Sequence, residues 1–266
     1  MDLQLAGKIA VVTGGARGIG KAITRALAGE GVDVAIIGRD LEAAKATAVE
    51  IAGETGRTVR AYSADTGKDD AVRTAVAAIV KDFGRIDILV NCAGLPGGQS
   101  LPSKLGEVTD DIFWSDVNVK VMGYLRMARE IAPLMAEQGW GRIINISGLN
   151  ARQTGSIVGS IRNVGVAALT KNLADELGPK GINVTCVHPG LTRTEKTPGL
   201  IAWRADLQNK TIDDAEKAMN DLNTIRRLIT AEEIGHIVAF LASPKSIAIN
   251  GDAIAAGGGA PGSIHY

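Results

Sequence analysis

Along this chain, short runs of β-branched and apolar residues alternate with longer stretches in which apolar positions recur at helical spacing. The runs predict strands over residues 9–12, 34–37, 58–62, 86–90, 142–146 and 182–187, with a seventh over 252–255. Helices are predicted over about 18–30, 41–53, 68–83, 116–138, 158–178 and 231–242. Such alternation is the pattern of βαβ units building a parallel sheet, and right-handed crossovers then place helices on both of its faces. The expectation is a single doubly wound α/β domain, Rossmann-type, over residues 1–266, with its ligand crevice at the carboxyl ends of the strands. Functional residues should therefore follow strands. Residues 191–227 hold no strand pattern but do hold helical pieces, Pro198 and Trp203, and are expected to cover that crevice.

Composition narrows the classes. With 266 residues, 45% of them hydrophobic and 22% charged, the chain is in the ordinary globular range and can bury a substantial core. Basic and acidic residues both total 29, so no basic face is implied for a nucleic-acid partner. No apolar run approaches the roughly 20 residues that span a bilayer, and the opening residues lack secretory or transit features. No membrane association and a cytoplasmic location are expected. Cys92 and Cys186 fall at predicted strand ends and read as small buried hydrophobes of a reducing compartment; no metal site is expected.

The chemistry begins after the first strand, at Thr13-Gly14-Gly15-Ala16-Arg17-Gly18-Ile19-Gly20, which runs straight into a predicted helix. Glycines let backbone approach a pyrophosphate closely, and a helix N-terminus offers free N–H groups and partial positive charge. The spacing differs from the general GxGxxG fingerprint. It resembles instead the TGxxxGIG element of the short-chain dehydrogenase/reductase family, and the resemblance continues along nearly the whole chain. Asp65-Thr66 resembles that family's adenine contact, Asn91-Cys92-Ala93-Gly94 its NNAG element, and Asn118 its helix asparagine. Pro189-Gly190, with Thr192 and Thr194, is similar to the segment that holds the nicotinamide carboxamide and phosphates.

The end of the second strand should meet the adenosine ribose, where an acidic residue would accept from both hydroxyls of NAD and repel a 2′-phosphate. Gly38 stands there, and Asp40 comes one residue too late. Arg39 and Arg17 can supply forked guanidinium groups to a phosphate, so the expected cofactor is NADP(H) rather than NAD(H). The resemblance also implies a homo-tetramer or dimer, built through the helices near 116–138 and 158–178 and the last strand.

The family's proton-transfer machinery is a serine after the fifth strand and a YxxxK pair on the next helix. Alignment on residues 141–148 places the serine position on Gly148, the tyrosine on Ile161 and the lysine on Gly165, and residues 148–171 contain no tyrosine in any register. An alkoxide product then lacks its usual proton donor, so ordinary ketones and simple secondary alcohols should turn over no faster than background unless another acid serves. Ser147 is one residue early and should point to the opposite face of its strand, but with Asn118 it stays a catalytic candidate, able to act as the acid through a relaying water. Asn118 keeps a role in ordering a water or its helix, and Tyr266 could approach a neighbouring subunit's pocket. Arg162 and Asn163 are expected at solvent-facing helix positions, with lining of the pocket as the alternative for either, and His188 as a locally satisfied side chain. Three classes stay open: hydride transfer to or from an unidentified small molecule by a route without Ser-Tyr-Lys, a catalytically silent NADP(H)-binding sensor or partner subunit, and a non-redox lyase or isomerase on the same scaffold.

Overall fold

The computed structural model describes residues 1–94 and 104–261. Its central sheet comprises β1 (Ile9–Thr13), β2 (Asp33–Gly38), β3 (Val59–Ser63), β4 (Ile88–Asn91), β5 (Gly141–Ile146) and β6 (Ile182–Pro189). The short strands β7 (Thr192–Arg193) and β8 (Ile229–Thr230) pair separately, and β9 (Ala253–Ala256) completes the main sheet. The seven strands are parallel, in the order β3-β2-β1-β4-β5-β6-β9. The order reverses at β1, so the carboxyl ends of β1 and β4 diverge into a crevice, the usual ligand position of an open α/β sheet.

Around the sheet lie α1 (Gly18–Gly29), α2 (Leu41–Thr55), α3 (Asp69–Phe83), α4 (Asp110–Val117), α5 (Gly123–Glu137), α6 (Ile157–Leu177), α7 (Thr197–Gln208), α8 (Ile212–Asn220) and α9 (Ala231–Ala242). Strand residues alternate between two cores, as the two-residue strand period requires. Val12, Ile144 and Val187 pack with Ile23, Leu27 and Val238 on one face. Their neighbours Val11, Ile143 and Val184 pack with Ile79, Met127 and Ile131 on the other.

The element predicted over 116–138 is interrupted. Thr109 caps α4, accepting from the Ile112 N–H, and a π turn over Asn118–Met122 separates α4 from α5. Single π turns of this kind often occur at functional sites because the extra residue re-aims the side chains around it. Residues 191–227 hold α7 and α8, with a small core of their own made of Leu200, Ile201, Ala205, Ala215, Met219 and Leu228. Among the described residues no helix is long and apolar enough to cross a membrane.

Candidate active site

A cavity of about 1140 Å³ opens at the carboxyl ends of β1, β4, β5 and β6 and is roofed by Leu200, Arg204, Met219 and Leu222 from the α7–α8 segment. Its deepest wall is the loop after β1. Gly14 lies at φ +69°, and a Cβ there would come within 3.1 Å of Ala93 backbone. On Gly20 a Cβ would stand 2.1 Å from the Gly14 carbonyl oxygen, so the turn closes only because glycine is present. Thr13 Oγ1 accepts from the N–H groups of Cys92 and Ala93, at 3.0 and 3.1 Å, and locks the loop to the exit of β4.

Arg17, the N-cap residue of α1, supplies no side-chain cap. The Gly18 N–H is taken instead by Glu195, both of whose carboxylate oxygens accept at 3.2 Å. A carboxylate thus already sits where the N–H groups and dipole of α1 favour an anion. Sequence reasoning missed Glu195, whose only signal is its place one residue after Thr194.

At the far end Gly38, Arg39 and Arg17 line the cavity together. Asp40, set aside in the sequence, lines it too: one carboxylate oxygen accepts from the Ala43 N–H and caps α2, and the other lies 2.5 Å from Arg17 Nη2. Both ion-pair partners are more than half exposed. Such a pair contributes at most about 1 kcal/mol, leaving Arg17 free to turn towards a phosphate.

The remaining candidates divide. Ile19, Asp65, Thr66, Ala93, Gly94, Pro189, Gly190, Thr192 and Thr194 all line the cavity. Asn91 does not: its side chain is buried in the sheet, donating to Asn145 Oδ1 at 2.9 Å, and Asn145 donates in turn to Thr170 of α6. Asn118 is likewise turned away, because its amide donates to the Gly67 carbonyl at 3.2 Å and its Oδ1 accepts from Arg126 at 2.8 Å. Its side chain ties the π turn to the loop after β3.

The wall beside β5 corrects the sequence reading most. Gly148 lines the cavity, but Ile161 is half exposed, and Gly165 lies against Val121, 3.4 Å from where its Cβ would be. The buried face of α6 instead runs through Gly159, Asn163, Val166 and Thr170. A Cβ on Gly148 would lie 3.0 Å from Asn163 Nδ2. The α6 residue opposite Gly148 is therefore Asn163, two residues ahead of the lysine position of the alignment; the difference is taken up between β5 and α6, where spacing alone could not be read.

Arg162 and Asn163, expected in solvent, both line the cavity. Arg162 is ion-paired with Asp116 of α4, and Asn163 Oδ1 is buried without a partner among the described residues. Ser147 is buried with its hydroxyl donating to the Asn163 carbonyl at 3.0 Å, a structural link between β5 and α6. His188 is buried, its Nδ1 3.8 Å from Cys186 Sγ. Burial pushes the Cys92 and Cys186 thiols up to about 11, which keeps them protonated at neutral pH.

The π turn delivers a residue not singled out before, Lys120. Its stem passes Gly94, its Nζ donates to the Ser147 carbonyl at 2.9 Å, and it lines the cavity. Burial lowers its pKa to about 8, and the nearby Arg162 guanidinium acts in the same direction. No tyrosine among the described residues lines the cavity: the Tyr124 hydroxyl donates to the Ile146 carbonyl, Tyr62 bonds Asp82, and Tyr266 lies outside the described residues.

Residues 14–260 match the family model described as enoyl-(acyl carrier protein) reductase. The chain belongs to the short-chain dehydrogenase/reductase family. It is 35% identical over 254 residues to the short-chain reductase protein NovJ of Streptomyces niveus, covering 95% of this chain and 94% of that one. It is 31% identical over 262 residues to the 3-oxoacyl-[acyl-carrier-protein] reductase FabG of Aquifex aeolicus, covering 97% and 99%. Among solved structures it is similar to L-sorbose reductase from Gluconobacter frateurii complexed with NADPH and L-sorbose, with TM-score 0.93, 26% identity and coverage of 99% and 100%. It is also similar to an actinorhodin polyketide ketoreductase with NADPH, with TM-score 0.87, 29% identity and coverage of 94% and 96%. This short-chain dehydrogenase/reductase thus has the glycine cradle and the Pro189–Thr194 wall at one cavity, which Gly148 and Asn163 also line.

Proposed function

We propose that this chain is an NADP(H)-dependent oxidoreductase that transfers hydride to or from a small molecule without the family's Ser-Tyr-Lys machinery. The cradle carries the reading. Gly14, Gly18 and Gly20 leave room for a pyrophosphate against the uncapped end of α1, and Glu195 stands in for its charge. Thr192 and Thr194 would hold the nicotinamide end, while Arg17 and Arg39 would take the 2′-phosphate. When bound, the cofactor supplies the hydride; the protein positions it, excludes water beneath α7 and α8, and handles the proton.

Calorimetric titration should give NADP(H) at least about tenfold tighter binding than NAD(H), a difference of about 1.4 kcal/mol. Arg39→Ala should remove most of that preference. Equal affinities, or a preference untouched in Arg39→Ala, would contradict the assignment. Glu195→Gln should bind NADP(H) about three- to tenfold more tightly, because the carboxylate no longer competes with pyrophosphate at the helix end. An unchanged or weaker affinity would remove Glu195 from that role.

The mechanism lacks the usual parts in either register. Asn163 bears no titratable proton, and Gly148 and Gly159 bear no side chain. A second reading, a silent partner subunit, is favoured by one observation: Ile112 and Trp114 of α4 and Ile161 and Val164 of α6 are all about half exposed on touching helices. That apolar face supports assembly of the chain with itself through these helices. Light scattering at micromolar concentration should report two or four chains, and a monomeric mass would contradict it.

A further inference from the structure

Lys120 is the one buried cation on the cavity wall without a carboxylate partner among the described residues. Asp116, a candidate on α4, is ion-paired with Arg162, and among the described residues the one hydrogen bond of the Lys120 ammonium is to a backbone carbonyl. Two of its three N–H groups have no partner among the described residues. A lysine held only for structure would leave this charge unpaired at considerable expense in solvation.

Its surroundings are arranged around the gap at Gly148. The Ser147 carbonyl accepts from Lys120 Nζ, and the Ser147 hydroxyl donates to the Asn163 carbonyl at 3.0 Å, so one residue holds the Lys120 side chain and the Asn163 backbone next to Gly148. Asn163 lines the same wall, and its Oδ1, buried without a partner among the described residues, calls for a donor such as a hydroxyl. A ligand oxygen entering above Gly148 would find the Asn163 amide beside it, Nδ2 nearest, and the Lys120 N–H groups held at the adjacent Ser147 carbonyl.

We propose that Lys120 gives the proton to a carbonyl oxygen in this site, in place of the family's tyrosine, and that the substrate is therefore a ketone or aldehyde. The proposal rests on the hydride-transfer reading above. As hydride from the reduced nicotinamide cofactor reaches the carbonyl carbon, the C=O π pair moves to oxygen, and a Lys120 N–H proton passes to that oxygen. The products are the alcohol, the oxidised cofactor and a neutral amine, which takes a proton back from solvent once the products have left the cavity. The groups facing the amine are Arg162 of α6, Asp116 of α4 and the thiols of Cys92 and Cys186. Both thiols stay protonated at neutral pH, so the ammonium near pH 8 is the titrating group.

Two substrates separate the proton step from the hydride step: a ketone, which needs an acid, and a preformed N-alkyl iminium, which does not. The protein should reduce both, with the ketone rate falling above about pH 8 and the iminium rate level. Lys120→Met should lose ketone reduction by about 100-fold or more while iminium reduction and NADPH affinity stay within about threefold. Lys120→Arg should not restore it, because arginine keeps its proton at every relevant pH. Ketone reduction surviving in Lys120→Met, or rescued by arginine, overturns the proposal. Iminium reduction without any ketone reduction by the unaltered protein overturns it too and leaves the hydride-transfer reading standing; failure of both substrates removes that reading and the proposal with it.

A second readout needs no turnover. Acetylacetone condenses with neutral amines to an absorbing enaminone, and at about pH 8 Lys120 should be about half neutral, whereas ordinary lysines are below about one per cent. In cofactor-free protein Lys120 should be the first lysine modified, as located by peptide mass. Preferential reaction elsewhere contradicts the proposal.

Discussion

Lys120→Met should make the protein more stable at pH 7, by about 2–3 kcal/mol. Folding lowers the Lys120 pKa from 10.5 to about 8, chiefly by desolvation. Each pKa unit corresponds to about 1.36 kcal/mol, so below pH 8 the buried ammonium costs about 3 kcal/mol, offset in part by its bond to Ser147. Because the folded pKa is depressed, the unfolded chain binds more protons between about pH 8 and 10.5, and stability rises with pH across that window. Methionine keeps the volume and drops the charge. Its advantage should therefore be full at pH 7 and largely gone by about pH 10.5. Denaturant unfolding of both proteins at the two pH values measures it, and a destabilised Lys120→Met at pH 7 would show that the ammonium is not desolvated as described. A group that costs stability where it stands is the kind retained for function.

Gly20→Ala should weaken NADPH binding by about a hundredfold, or about 2.7 kcal/mol, and destabilise the fold by about 1–3 kcal/mol. The new Cβ would stand 2.1 Å from the Gly14 carbonyl oxygen and 2.8 Å from its carbon; both are backbone, so the loop itself must shift. Gly29, at the other end of the same helix, is the control, since a Cβ there meets nothing within 4 Å. Gly29→Ala should bind NADPH as the unaltered protein does and gain about 0.5–1 kcal/mol of helix stability. Calorimetric titration with paired unfolding curves checks both. Unchanged affinity in Gly20→Ala would mean that the cradle does not hold the cofactor.

The sheet was legible because most of its strands are apolar runs bounded by turns, and the strand period sends Val11 and Val12 to opposite cores whatever the rest of the chain does. The cradle was legible because glycines at 14, 18 and 20 have a steric reason to be there. Side-chain direction was harder to read. Asn91 and Asn118 sit at the right places in the chain, yet Asn145 and the Gly67 carbonyl, both from distant segments, draw them away from the cavity. On α6 the register depended on the span between β5 and the helix, so Asn163 was placed in solvent when it is buried at the site. Lys120 had one local signal, a lysine between Val119 and Val121 in a mostly apolar stretch. Its inward direction follows from the π turn, which periodicity does not reveal.

The most direct test of hydride transfer mixes the NADPH-loaded protein with a preformed iminium in a stopped-flow cell and follows the absorbance of the reduced cofactor. The expected result is cofactor oxidation about a hundredfold or more faster than in protein-free solution, with one amine formed per cofactor consumed. NADPH that binds tightly yet is oxidised by neither the iminium nor any ketone would contradict the account and identify the chain as a silent NADPH-binding subunit.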